Sequence, residues 1–192
     1  MAVSKAAFPH DEEDRRRWQN PDAILVDIGL KPGCTFMDIG CGDGFFTLPA
    51  ARLVGEKGRV YGLDAEAEAI SRLNEKAAKE GLRNLTLKVA EAEWTILCEA
   101  CGDIVFFGIV LHDFKDPRRV LKNAKRMLKP DGRLINLDWK KEPMEFGPPL
   151  RIRFSEREAK SLIEEVGFKT ETVKEAGPYN YLIIARPQSP EA

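Results

Sequence analysis

No apolar run in this 192-residue chain comes near the ~20 residues that a membrane-spanning helix needs. The N-terminus also lacks the apolar core of a secretory signal, because Asp11-Glu12-Glu13-Asp14-Arg15-Arg16-Arg17 is charged throughout. A cytoplasmic protein with no membrane partner is therefore expected. An excess of charge of one sign is missing too. Thirty Lys and Arg stand against 31 Asp and Glu, whereas a general nucleic-acid binder shows a basic excess. Glutamine is confined to Gln19 and Gln188 while charged residues make up 32% of the chain, a balance that leans towards a thermophilic source. Internal repeats and low-complexity tracts are absent. What is present is a regularly patterned 43% of hydrophobic residues, in a chain long enough to bury a three-layer core as one domain. Residues 1–20 are polar and read as an N-terminal arm or helical lid, and 21–192 as the folded domain.

The most informative stretch runs Phe36-Met37-Asp38-Ile39-Gly40-Cys41-Gly42-Asp43-Gly44-Phe45-Phe46 and is followed by Val60-Tyr61-Gly62-Leu63-Asp64. A short apolar run ends in a turn with alternating glycines, then comes a helix-like segment and a second apolar run closed by an acid. This is the strand–glycine loop–helix–strand order of the nucleotide-binding half of a doubly wound sheet. Glycines let such a loop turn sharply, and the following helix points free amides over it. An acid about 20 residues further on can accept both hydroxyls of a ribose. A dinucleotide fingerprint, Gly-x-Gly-x-x-Gly, would need its third glycine at position 45, where Phe45 stands. A nucleoside ligand without phosphates is favoured over a pyrophosphate.

The remaining pattern supplies alternating elements. Strands are expected at 35–39, 59–64, 85–89, 103–107 and 133–138, with helices at 21–28, 45–54, 66–80, 117–128 and 155–166. Pro49 should kink the second of these helices or sit near its first turn. Ser155 and Glu158 form a capping box, and Gly167 stops the helix. Two last strands, 169–175 and 181–186, flank Gly177-Pro178 with no room for a helix between them, so they form an antiparallel hairpin. The fold class is α/β: a three-layer, doubly wound, Rossmann-like sheet of seven strands.

Asp38-x-Gly40-x-Gly42-x-Gly44 with an acid closing the second strand resembles class I S-adenosylmethionine (SAM)-dependent methyltransferases. The resemblance covers roughly Pro21 to Arg186. It extends to Val89-Ala90-Glu91-Ala92-Glu93, to Gly108-Ile109-Val110-Leu111-His112 and to Leu128-Lys129-Pro130-Asp131-Gly132. Among subgroups the chain looks most like small single-domain enzymes near the ubiquinone and menaquinone methyltransferases. The resemblance implies SAM as cofactor and S-adenosylhomocysteine as product. It also implies cofactor contacts from Asp38, Gly40, Cys41, Gly42, Gly44, Asp64, Ala65, Glu91, Ala92 and Phe107. Asp38 would help to hold the methionine amino group, with capping of the loop as the alternative. Asp64 would take the ribose, and Ala65 would pack under the adenine. Glu91 stands where many relatives carry an Asp for the adenine amino group, and simple solvation of its longer side chain is an equal reading.

On the acceptor side, His112 is the candidate general base, with a purely structural hydrogen bond as the competing role. Asp113 and Tyr179 are further options. Trp139, Lys140 and Lys141 could bind a flat or anionic substrate or simply cover the sheet rim. The proline-rich stretch Pro143–Pro149 could act as a lid, and Trp18, Tyr179 and Arg153 could close the pocket. No metal site is expected. Cys34, Cys98 and Cys101 fall at the sheet edge away from the cofactor. They are small buried apolar groups or a Cys34–Cys98 or Cys34–Cys101 disulfide, and a fourth zinc ligand is missing. Their placement disfavours arsenite as the acceptor. Phe107-Gly108-Ile109-Val110 replaces the Asn/Asp-Pro-Pro-Tyr/Phe motif of amino methylases. A small-molecule acceptor is expected, with its size, its attacking atom (carbon, nitrogen, oxygen or sulfur) and a homo-oligomer left open. The competing functions are a non-catalytic SAM-binding regulatory module and a nicotinamide-dependent oxidoreductase.

Overall fold

The structure, a computed structural model, describes residues 12–188. Its frame is a seven-stranded sheet built from β1 (Thr35–Ile39), β2 (Arg59–Asp64), β3 (Leu85–Val89), β4 (Gly102–Gly108), β5 (Leu128–Trp139), β6 (Phe168–Ala176) and β7 (Asn180–Pro187). The spatial order is β3-β2-β1-β4-β5-β7-β6. β1 to β5 pair in parallel, and β7 runs antiparallel to both β5 and β6. The chain thus winds outwards from β1 to β3, then returns to the other side of β1 with β4. That reversal opens a crevice at the carboxyl ends of β1 and β4, where open α/β sheets hold their ligands.

The strands alternate cleanly between two cores. Phe36, Ile104, Phe106, Ile135 and Leu137 face α2 (Pro21–Asp27) and α3 (Thr47–Val54). Met37, Ile39, Val105, Phe107 and Leu134 face α5 (Pro117–Met127) and α6 (Glu156–Glu165). α4 (Ala67–Lys79) buries Ile70, Leu73 and Ala77 against Cys41 and Leu48. Both faces of the inner strands are covered, so their sequences are almost continuously apolar.

The local signals explain the boundaries. The Asn20 side chain caps α2 by accepting from the Ala23 amide at 3.1 Å, and Pro21 opens the helix. α3 begins at Thr47 rather than Phe45, which puts Pro49 in the first turn, where its missing N–H leaves no gap and no kink is required. The Ser155–Glu158 capping box of α6 is formed in both directions. Strand β5 starts five residues earlier than the apolar pattern suggests, because Leu128 already pairs with Gly102 ahead of an irregular register.

The described part of the N-terminal arm is a helix, α1 (Glu12–Trp18), docked on the domain. Trp18 joins an aromatic cluster with Trp139, Phe146 and Tyr179 at centroid separations of 5.4–5.8 Å. The buried Gln19 amide donates to Asn180 Oδ1 at 3.1 Å, so the segment is fastened to β7 by a hydrogen bond as well as by packing. Phe8 and residues 1–11 lie outside the described part of the chain. Among the described residues no helix is long and apolar enough to cross a membrane.

The cysteines differ from expectation. Cys98 and Cys101 are joined to each other, and Cys34 and Cys41 are free, so neither pairing through Cys34 forms. The two bonded cysteines lie three residues apart in the short segment that leads into β4.

Candidate active site

A cavity of about 890 Å³ opens over the carboxyl ends of β1, β2 and β4 and is walled by the segments that follow those strands. One half is made by the glycine loop. The Gly40 and Cys41 amides both donate to the Leu63 carbonyl, at 2.7 and 3.1 Å, which folds the loop back over β2. Gly40 has φ +75°, and a Cβ there would meet Val110 Cγ2 at 2.4 Å. Gly42 has φ +51° with open space where its side chain would be. The first glycine therefore permits protein packing, and the second leaves room for a ligand.

Asp64 organises this half. Its Oδ2 accepts the Gly42 amide at 2.8 Å and its Oδ1 the Glu66 amide at 2.9 Å. One carboxylate thus ties the glycine loop to the turn after β2 and still presents lone pairs to the cavity. Asp38 lies deeper, almost without exposure, with the Thr47 hydroxyl donating to its Oδ2 at 2.6 Å. Burial pushes its carboxyl up to about 7, the nearby Asp64 adds to this, and the Thr47 bond and the Arg15 guanidinium oppose it. Arg15, from α1, stacks over the Phe45 ring at 3.8 Å and lines the same end of the cavity. The Cys41 thiol also lines the cavity, and burial followed by Asp38 and Asp64 pushes it well above the usual thiol range.

The other half comes from segments distant in sequence. His112 sits in a short 3-10 turn (Leu111–Asp113) after β4. Its Nδ1 lies 2.7 Å from Oδ1 of Asp138 near the end of β5, and its Nε2 lies 3.5 Å from Oδ1 of Asp113. The imidazole is 3% exposed and the Asp138 side chain 1%, so the pair is sequestered from bulk water. Burial pushes the His112 pKa down, but Asp138 and then Asp113 outweigh it, and the net direction is up. Arg153, nearby, pulls the other way. Ile109, three residues before His112, has φ +62°, a left-handed conformation that is strained for a β-branched residue. Phe114, Trp139, Pro148, Pro149 and Ile152 supply apolar wall.

Most of the sequence candidates gather at this cavity. Asp38, Gly40, Cys41, Gly42, Asp64, Ala65, Glu91, Ala92 and His112 all line it. Gly44 and Phe107 do not. A Cβ on Gly44 would meet Leu73 at 2.2 Å, so this glycine serves the packing of α4, and Phe107 is fully buried in the core on the α5 and α6 face. Gly108 takes the place on the wall that Phe107 does not fill. Lys140 and Lys141 are drawn to Glu175 and Glu158, at 3.0 and 2.9 Å, and are not part of the wall. Arg153 donates to the carbonyls of Pro148, Lys140, Glu142 and Phe146 and thereby holds the proline-rich loop in place. Sequence reasoning missed Asp138 and Arg15. The available signal for Asp138 was an acid inside an otherwise apolar strand; Arg15 had none, because it sits in a run of three arginines.

Comparison with known proteins agrees with this geometry. The sequence profile of the methyltransferase domain family matches residues 30–175. The chain belongs to that family, in its class I SAM-dependent branch. It is 31% identical over 119 residues to an arsenite methyltransferase of Halobacterium salinarum, covering 62% of this chain and 30% of that protein. It is 30% identical over 123 residues to a demethylmenaquinone methyltransferase of Bacillus mycoides, covering 64% and 51%. The chain spans no more than about half the length of these curated relatives. A crystal structure of a SAM-dependent methyltransferase from Aquifex aeolicus superimposes with a TM-score of 0.85 at 32% identity, covering 93% of this chain and 98% of that one.

Proposed function

We propose that the protein is a methyltransferase that moves a methyl group from SAM to a small-molecule acceptor. The carrying observation is the double use of Asp64, which fixes the glycine loop through Gly42 and the next turn through Glu66 while its carboxylate faces the cavity. That cradle fits a nucleoside: Asp64 would take the ribose hydroxyls, and Ala65, Ala92 and Glu91, which line the same cavity, would border the base. At the loop end, Asp38 and Arg15 offer opposite charges suited to an amino group and a carboxylate.

When bound, SAM supplies an electrophilic methyl on a sulfonium sulfur. The work left to the protein is alignment of the acceptor, exclusion of water and, for a protonated acceptor, removal of a proton. The apolar wall of Phe114, Trp139 and Ile152 suits the first two tasks, and His112, which lines the same cavity, is the residue we assign to the third. Arsenite is disfavoured as the acceptor because Cys41 is the one cysteine on the wall among the described residues, and its thiol is held protonated.

Calorimetric titration of SAM and S-adenosylhomocysteine against the wild type and Asp64→Ala, with NADH as a control, tests the reading. Micromolar binding of both nucleosides that weakens about 100-fold in the variant is expected, as for loss of hydrogen bonds to a charged acceptor. Tighter binding of NADH, or no SAM binding, would refute it.

A further inference from the structure

We infer that Asp138 and His112 form a general-base dyad, and that the acceptor is a small aromatic molecule attacked through a hydroxyl group. The inference rests on the methyl-transfer reading above and deepens it by naming a positioning residue and an acceptor class.

The first ground is the hydrogen bond. With Nδ1 of His112 at 2.7 Å from a carboxylate, the neutral ring carries its proton on Nδ1. Nε2 is then left as an unprotonated acceptor, on a residue that lines the cavity. The second ground is the cost of the carboxylate. Asp138 is almost fully buried, its Oδ2 has no hydrogen-bond partner among the described residues, and Oδ1 takes only His112 and its own neighbour, the Trp139 amide at 2.8 Å. Such a charge is expensive to bury. Orienting an imidazole needs no more than a backbone carbonyl. A carboxylate adds the ability to stabilise an imidazolium, and that is useful only if the ring takes up a proton. The third ground is the strain at Ile109, which is kept in the loop that delivers His112 to the cavity.

The surroundings narrow the acceptor. Phe114, Trp139, Pro148, Pro149 and Ile152 give the cavity that His112 lines an apolar, partly aromatic wall, which suits an aromatic ring. Lys115 lines the cavity together with Glu91 and Glu93, but at the base itself Asp113 lies 3.5 Å from Nε2 and repels an acceptor that arrives there as an anion. A thiol, with an ordinary pKa of about 8.5, ionises readily without help, and a neutral amine attacks without first losing a proton. A phenolic hydroxyl, with a pKa of about 10, arrives neutral and needs its proton taken as it attacks. Nε2 of His112 accepts that proton while the oxygen's electron pair forms the bond to the methyl group. The pair of the broken methyl–sulfur bond stays on sulfur, which leaves as a neutral thioether. Asp138 compensates the imidazolium charge until the proton passes to water.

The test combines a spectroscopic and a kinetic readout on the full chain. The sequence holds only two histidines, His10 and His112, so His10→Asn assigns the imidazole nitrogen NMR spectrum. In the complex with S-adenosylhomocysteine, His112 is expected in the Nδ1–H form, with a titration midpoint above the ordinary 6.5. The groups that set this midpoint are Asp138 from β5, Asp113 from the 3-10 turn and Arg153 from the segment before α6. Asp138→Asn should lower the midpoint, move the rising limb of the rate–pH profile down with it, and cut kcat about 100-fold with little change in KM. His112→Gln should cut kcat similarly and abolish the limb. Both variants should bind S-adenosylhomocysteine within about 2-fold of the wild type, which also reports that they are folded. Phenol, catechol and naphthol should be methylated faster than the matching anilines and thiophenols. An Nε2–H tautomer, a pH limb that Asp138→Asn does not move, or phenols turned over no faster than the other two series would each overturn the dyad and its acceptor while S-adenosylhomocysteine binding stands. Loss of that binding in the wild type would overturn the methyl-transfer reading itself.

Discussion

The two halves of the cavity are built in opposite ways. The half around Asp38, Gly40, Gly42 and Asp64 is largely local: two consecutive parallel strands and the segment between them carry most of the arrangement, with Arg15 reaching in from α1, and the bonds that fold the loop run between backbone amides and one carboxylate. The half around His112 and Asp138 is assembled from the ends of β4 and β5 and a loop that Arg153 holds by its carbonyls. The first can be rigid and shared by every relative that holds the same nucleoside. The second can change its acceptor by changing the apolar side chains of its wall, because its loop is held by Arg153 rather than by them.

The sharpest way to break this contrast is affinity. Asp64→Ala should cost about 100-fold in SAM affinity because it removes loop bonds and a ligand contact together, while His112→Gln should leave affinity within about 2-fold. Equal losses in calorimetry would mean that the halves are not separable. Next in size is Arg153→Met. Removing a buried guanidinium that satisfies four carbonyls should lower stability by about 3 kcal/mol in chemical denaturation. Hydrogen exchange should quicken over residues 140–149 and stay slow in the glycine loop.

The Asp38 carboxyl gives a pH test confined to the first half. Its folded value is raised to about 7 from 3.8, so the folded chain holds a proton between those values that the unfolded chain does not. This group therefore takes stability away from the unliganded protein as pH rises towards 7. A ligand ammonium reverses the preference and draws the proton off. SAM affinity should fall by up to about tenfold per pH unit below 7, with proton release seen as a dependence of the binding heat on buffer ionisation enthalpy. A flat profile would remove Asp38 from the amino-group role. The smallest effect belongs to the edge of the second half. Ser155→Ala breaks the cap of α6 and should cost about 1 kcal/mol without changing affinity for SAM.

Much of this was legible beforehand, for identifiable reasons. β1, β2 and β3 begin and end where the sequence pattern puts them: β1 is an inner strand buried almost throughout and reads as an apolar run, whereas β3, at the edge and largely exposed, is marked by the alternation of Leu85, Leu87 and Val89. The caps of α2 and α6 were readable because a cap is a contact over three residues. The start of α3 was not, because Phe45 and Phe46 look helical yet serve the loop. The cysteine pairing depended on how a short loop enters β4, which no spacing rule decides.

By itself, the sequence determined the doubly wound class, the glycine loop and the acid that closes β2, because each depends on neighbours in the chain or on the period of a strand. Only the tertiary structure decided that Gly44 and Phe107 turn away from the cavity, that Arg15 reaches it from α1, and that Asp138 meets His112 across 26 residues of chain. Those outcomes depend on which strand ends lie side by side, and that is set by the packing of the whole sheet rather than by any segment of it.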